Sequence, residues 1–323
     1  MIRRKSPMNR ILIVGCGDLA MRVARLLGAR YQLFGLVRNP LQMLKLREAG
    51  IVPILGDLDK PHSLQRLGGL PHIVLHFAPP ADSEGKFSNA DLRTRNLIQA
   101  LSRGQLPYRL IYISTSGVYG DCNGEIVSET RTTHAQNSRA KRRRNAEIQL
   151  QNWAKRRGVR ACILRVPGIY AADRLPLERI KKTIPAIIAS EDTYTNHIHA
   201  DDLARCVQAA LRHAKPNRIY HTSDDHHMKM GDYFDAVADA FHLPRPPRVT
   251  RAEAQKVLSP QRLSFINESR RLSNTRMKQE LKVKLRYPTV VQALAEIKPP
   301  GFAELTAPTS ALPRHSQLPL PLF

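Results

Sequence analysis

With 323 residues, 42% of them apolar, the chain can form one large or two small domains around a sizeable core, which excludes intrinsic disorder as its main state. Its 17 glycines show no collagen-like period, and its longest apolar runs, such as Ile11–Val14 and Ile73–Leu75, fall far short of the roughly 18–20 residues that cross a bilayer. Subtracting 27 Asp+Glu from 51 Lys+Arg gives a formal net charge of +24, a field that attracts anionic ligands and polyanions.

The charge is spread along the chain, and its densest stretch, Arg139 to Arg160, sets nine basic residues against the single acid Glu147. Nucleic acid is a possible partner for that helix. Trp153 is its only aromatic, however, so platforms for stacking bases are scarce and a solvated basic surface is favoured. Only four strongly apolar residues follow Arg3, Arg4 and Lys5 before Gly15, too few for a secretory signal. Cys16, Cys122, Cys162 and Cys206 lie at least 40 residues apart with no C-x-x-C pair. That spacing suits neither a disulfide framework nor a zinc cluster, and the expected home is a reducing cytoplasm.

Ile11 to Val14 reads as a buried strand, followed by a helix from Asp18 to about Ala29 whose Leu19, Val23, Leu26 and Leu27 share one face. A strand at Leu33 to Val37 leads into a helix starting at Pro40. Strands at Ile51–Leu55 and Ile73–Phe77, a helix near Asp91–Leu101 and a strand at Leu110–Ile113 continue the alternation. The helix Ser138–Arg157 and the strand Cys162–Val166 extend it, and Asn217–Thr222 reads as one more strand, returning to the main sheet. Continuous apolar strands separated by helices mean a parallel sheet covered on both faces, a doubly wound α/β (Rossmann) fold. After Pro167 the pattern loosens. The expected division is a sheet domain over 9–166 plus about 198–222, a smaller, mostly helical lobe over about 167–197 plus 223–298, and a flexible proline-rich tail over 299–323.

The most informative segment is Gly15-Cys16-Gly17-Asp18-Leu19-Ala20. It is a G-x-G-x-x-A placed between a strand and a helix. Gly15 permits the tight turn, Gly17 lets backbone approach a pyrophosphate, and Ala20 allows close helix–strand packing. The helix N-terminus offers free N–H groups to the phosphates. At the end of the second strand an acid would bond the adenosine ribose, but Arg38 stands there and suits a 2′-phosphate. NADP is therefore favoured, with NAD as the alternative.

These residues, together with several later segments, resemble the extended and atypical branches of the short-chain dehydrogenase/reductase superfamily, of the NAD-dependent epimerase/dehydratase type, from about Arg10 to Leu294. Gly56-Asp57-Leu58-Asp59 is similar to the family's acidic adenine-contacting turn, and His76-Phe77-Ala78-Pro79-Pro80 to the segment that passes the coenzyme riboses. Ile113 to Asp121 resembles a fifth-strand signature whose catalytic Ser or Thr maps onto Thr115. Leu164 to Tyr170, with Pro167 and Gly168, and His197 to Asp202 match two further stretches.

The resemblance breaks at the family's Tyr-x-x-x-Lys, where this chain reads Asn137-Ser138-Arg139-Ala140-Lys141. Lys141 is expected to hold the nicotinamide ribose, whereas Asn137 has no proton to exchange near neutral pH. Three explanations stay open. Tyr119, Tyr170 or His134 supplies the proton while Thr115 polarises a carbonyl; the substrate needs no tyrosine; or the nucleotide is bound without turnover. Tyr119 also reads as a structural phenol, and Lys141 as part of a solvated face.

His197 and His199 alternate on an extended segment beside Asp201 and Asp202; capping of the next helix by Asp201 is preferred to a metal site. His226 and His227 are placed in a polar surface turn. Arg270 and Arg271 read either as a clamp for a phosphate or carboxylate or as basic surface. The expectation is thus a monomeric or homodimeric NAD(P)-dependent oxidoreductase or epimerase/dehydratase with a degenerate site. Its substrate would be a small molecule, anionic or a nucleotide sugar. The alternative is a non-catalytic NADP(H)-binding sensor or scaffold.

Overall fold

The computed structural model describes residues 9–28, 30–81, 89–259, 263 and 266–297. The expected tail and Ala29, the expected end of the first helix, lie outside them. Seven strands carry the architecture: β1 (Arg10–Val14), β2 (Gln32–Val37), β3 (Ile51–Leu55), β4 (Ile73–His76), β5 (Arg109–Thr115), β6 (Arg160–Val166) and β7 (Arg218–His221). They form one sheet in the order β7-β6-β5-β4-β1-β2-β3, with every neighbouring pair parallel. The order reverses between β1 and β4, and in such sheets the crevice outside the carboxyl ends at the reversal is where ligands bind.

The two-residue period of β1 divides its side chains between two cores. Ile11 and Ile13 join the apolar faces of α1 (Asp18–Leu27) and α4 (Ala200–His213), including Val23, Leu27, Leu203 and Val207. Leu12 and Val14 face α2 (Leu92–Leu101) and α3 (Ser138–Arg157), where Leu97, Leu101, Leu150 and Trp153 complete the opposite layer. Gly158, in the left-handed region at φ 72°, ends α3 where the basic run gives way to β6. Beyond Pro167 a separate cluster gathers Tyr170, Ile180, Met228, Tyr233, Phe234, Val237, Tyr287 and Val290. No helix among the described residues is long and apolar enough to cross a membrane.

Several boundaries depart from the sequence reading for identifiable reasons. β5 runs from Arg109 to Thr115, and two polar side chains at its ends are buried and hydrogen-bonded, although Arg109 Nε has no partner among the described residues. Arg109 donates to the carbonyls of Ala210 and Leu211 at 2.7 and 2.8 Å, and Ser114 donates to Glu147 at 2.6 Å. β4 stops at His76, since the amides of Phe77 and Ala78 both turn onto the Val14 carbonyl. From Pro40 there is one 3-10 turn and then the short helix Met43–Glu48. His199, rather than Asp201, caps α4, its Nδ1 accepting the Asp201 amide at 3.2 Å. Ser223 and Asp224, expected in a surface turn, are buried.

Candidate dinucleotide and substrate site

Gly15 has φ +99°, and a Cβ there would lie 2.5 Å from the Ala78 nitrogen, so this turn requires glycine on both conformational and steric grounds. The contact ties the end of β1 to the end of β4 at the sheet's reversal point. Gly17 is different: a Cβ there would meet nothing within 4 Å. As the N-cap of α1 it supplies no side chain to the first-turn amides. The result is an open cradle at a helix N-terminus, which fits the diphosphate of a dinucleotide. Asp18 would oppose that charge, but Arg22 Nε holds both its oxygens at 2.9 and 3.0 Å and Arg174 adds a contact at 3.3 Å. Leu19 is half-buried against the α1–α4 core and Ala20 is fully buried within it.

At the other end, Arg38 is exposed just past β2 and makes no hydrogen bond or ion pair with the described residues. Asp57 folds its carboxylate onto the Asp59 amide at 3.0 Å, and buried Leu58 offers its carbonyl to Asn96 at 2.8 Å. Arg93 bonds Asp59 at 2.6 and 2.9 Å and, with a lesser contribution from Arg38, holds that carboxyl below the usual carboxylate range. Arg93 also reaches the Pro79 carbonyl at 3.3 Å, linking the β3 and β4 turns.

Thr115 ends β5 half-buried, its Oγ1 accepting the Gly117 amide at 3.2 Å. Asn137 is the N-cap of α3, accepting the Ala140 amide at 2.9 Å. Lys141 is exposed, and its side chain meets no described partner. Among the inward-reaching cations of α3, Arg143 lies nearest β5: its Nη1 donates to the Ile113 carbonyl at 2.7 Å and to the Tyr112 hydroxyl at 3.2 Å. Helical spacing could have found it. Arg143 stands one turn before Glu147, the single acid of the basic run, so the two share a face.

Glu147 is fully buried and receives Ser114, Arg165 and Arg144. Arg165 continues to the Tyr119 hydroxyl at 2.6 Å, which meets His221 Nε2 at 2.5 Å; His221 Nδ1 in turn lies 2.9 Å from the Ser273 carbonyl. Burial pushes the Tyr119 phenol up to about 12 and the His221 imidazole down to about 3. The Tyr119 hydroxyl thus lies among protein partners, Arg165, His221 and, at 3.4 Å, the Ser128 carbonyl, an arrangement that matches the structural-phenol alternative. Tyr170 is equally enclosed, packed edge-on against His197 and His199, which themselves lie against Tyr233 and Tyr287. His134 is exposed. Pro167 is half-buried, and the Gly168 amide donates to the Asn196 carbonyl at 3.1 Å. His226 is exposed and His227 half-buried.

Sequence reading missed what the late polar segment does. Residues 269–273 zip onto 121–127, with the amides of Cys122 and Gly124 donating to the Ser269 carbonyl and Arg271–Leu272 pairing with Ile126–Val127. This brings Glu268 to Asn137 at 3.3 Å and to Arg270 at 2.9 Å. Arg270 also donates to the Gly120 carbonyl at 2.6 Å, and Arg271 lies over the Tyr194 ring. The alternation of charges in the sequence carries no sign of this long-range approach.

The model of the NAD dependent epimerase/dehydratase family matches residues 20–222, beginning inside α1 just past the glycine turn. The chain belongs to that family and has its extended short-chain dehydrogenase/reductase fold. A GDP-6-deoxy-D-mannose reductase of Pseudomonas aeruginosa is 24% identical over 234 residues, covering 64% of this chain and 77% of that protein. A conserved protein of unknown function from Silicibacter pomeroyi superimposes with TM-score 0.72 at 28% identity, covering 89% of this chain and 97% of that one. The UDP-glucose 4-epimerase of Thermotoga maritima, solved with UDP-glucose, has TM-score 0.71 at 16% identity over 88% of this chain and 96% of that one, a likeness of fold.

Proposed function

We propose that the protein is an NADP(H)-dependent oxidoreductase or epimerase/dehydratase acting on a small polar substrate of the nucleotide-sugar kind. The observation that carries this reading is the pairing of two glycines: Gly15 locked against Ala78, and Gly17 open before an uncapped helix N-terminus. The first sets the turn; the second leaves room for two phosphates. Arg38, with no carboxylate paired to it, favours a coenzyme carrying a 2′-phosphate, and Asp57 and Leu58 would border the adenine. The sugar-nucleotide reductase of Pseudomonas aeruginosa supports the substrate class.

When bound, such a coenzyme supplies hydride transfer, and the protein supplies position and proton control. Arg143, in our reading, takes the ribose-side role expected of Lys141, because its guanidinium lies at the carboxyl end of β5 while Lys141 faces solvent. Thr115 would hydrogen-bond the reacting oxygen. The lobe formed from about 167–197 plus 223–298 would carry substrate contacts, and a cytoplasmic location fits the reading. Titration calorimetry with NADPH and NADH tests the coenzyme claim, with NADPH expected to bind more tightly. A nucleotide-sugar panel with product analysis then tests turnover, since an epimerase shows no net redox change. Binding of coenzyme with no product from any sugar would favour the sensor alternative.

A further inference from the structure

We infer that Glu268 is the acid–base carboxylate of the reacting centre, the group that accepts and returns the proton a tyrosine would otherwise carry. The inference rests on the coenzyme-dependent reading above and names the residue that completes it.

Three observations bring Glu268 to that place. Its Oε1 accepts from Asn137 Nδ2, so the N-cap residue of α3 acts as a holder for this carboxylate. A Cβ added at Gly117 would sit at ordinary contact distance from both groups, 3.5 Å from Thr115 Oγ1 and 4.0 Å from Glu268 Oε2. The glycine thus leaves a methyl-sized gap beside a hydroxyl and a carboxylate just past the carboxyl end of β5. Finally, the carboxylate is fixed, not waving from a loop. Ser269 donates its amide to Asp121 at 2.8 Å, the Ser269 carbonyl takes two further amides, and the Glu268 side chain is only 9% exposed.

The arrangement is not a finished structural ion pair. Arg270 Nη1 serves both Glu268 and the Gly120 carbonyl, yet its Nε is buried with no hydrogen-bond partner among the described residues. Each Glu268 oxygen has one donor among the described residues and lone-pair capacity for another. Polar capacity left unfilled beside a gap is what a substrate hydroxyl would complete. In the oxidative direction a bound oxidised nicotinamide would supply the acceptor for the carbinol hydride. As the carbon–oxygen double bond forms, the O–H proton would pass to Glu268 directly or across Thr115, and reduction would return it.

The deciding experiment needs no known substrate. A carboxylate facing the nicotinamide favours its cationic, oxidised form over the neutral reduced one. Full-length wild type, Glu268→Gln and Glu268→Asp are each titrated with NADP+ and NADPH. Glu268→Gln is expected to weaken NADP+ about tenfold while NADPH changes less than about twofold. Glu268→Asp, which keeps the charge one methylene back, is expected to keep most of the preference and serves if the Gln variant does not fold. Equal effects of Glu268→Gln on both forms, or loss of the preference in a folded Glu268→Asp, overturns the inference and leaves the coenzyme reading intact. Failure of wild type to bind either form overturns both. With any sugar nucleotide that wild type turns over, Glu268→Gln is expected to lower kcat about a hundredfold with KM little changed, and an unaltered kcat would also overturn the role.

Discussion

Arg165 donates twice to Glu147, Nε to Oε1 at 3.0 Å and Nη2 to Oε2 at 2.7 Å, and neither side chain is more than 2% exposed. The pair fastens β6 to α3 beneath the site, and so fixes where Arg143 and Asn137, earlier on α3, are presented. Breaking the pair leaves the buried Glu147 charge with only the longer Arg144 contact, at 3.4 Å, as its described counter-ion. Arg165→Met is therefore expected to cost about 3–5 kcal/mol, read as a lowered denaturant midpoint, whereas removing both charges in Arg165→Met/Glu147→Leu is expected to cost less than the single change. A double variant as unstable as the sum of its parts would show the two residues acting independently.

Gly15 and Gly17 are expected to fail in different ways. Gly15→Ala forces a Cβ into the Ala78 backbone at a φ of +99°, so it is expected to destabilise the fold by about 1–3 kcal/mol and to weaken coenzyme binding as a consequence. Gly17→Glu has open space, so its melting temperature is expected to stay near wild type while NADPH affinity falls at least about tenfold through charge repulsion and a filled cradle. Calorimetry beside thermal unfolding separates the two. A Gly17→Glu variant that binds coenzyme as wild type does would remove the phosphate assignment.

How much of the fold and the site is legible in the sequence depends on the range of the interactions. The sheet and the helices that cover it come from local periodicity, and α3 is found at Ser138–Arg157 as its pattern indicates. The glycine turn is legible because its G-x-G-x-x-A spacing lies within six residues, although the steric constraint on Gly15 comes from Ala78, far along the chain. Arg109, Ser114, Tyr119 and Arg165 are another matter. Their burial depends on partners far along the chain, such as Glu147 for Ser114, 33 positions away, and His221 for Tyr119, 102 positions away, which no window of local pattern contains. Glu268 is a further case, 131 positions from Asn137.

For coenzyme choice, Arg38→Asp is expected to weaken NADPH binding about tenfold or more and NADH much less, because the new carboxylate repels a 2′-phosphate but can accept from ribose hydroxyls. Parallel titrations with the two reduced coenzymes decide it. An equal loss for both would place Arg38 away from the adenosine ribose.

Acid is expected to destabilise this protein well above the carboxylate range. Burial pushes His76, His197 and His221 down to about 3, so each is neutral when folded, whereas an unfolded imidazole takes a proton near pH 6.5. The unfolded state therefore binds more protons between pH 6.5 and about 3, and the stability each neutral histidine contributes is present above 6.5 and lost as pH falls. The slope is about 1.4 kcal/mol per pH unit for each histidine. Asp224 runs the other way: burial raises its carboxyl well above the usual value, so its contribution is present at low pH and lost as pH rises through its folded value. His199 and His227 are also held down by burial and join the three histidines, while Asp192 shares the direction of Asp224, so unfolding takes up protons on balance as pH falls below 6.5. Denaturant titrations at pH 7, 6 and 5 should show falling stability. His221→Gln, which removes one titrating ring from the Tyr119 ladder, should lower stability at pH 7 but flatten the decline by about one proton. A stability profile without slope below pH 6.5 would mean that these imidazoles gain protons inside the fold.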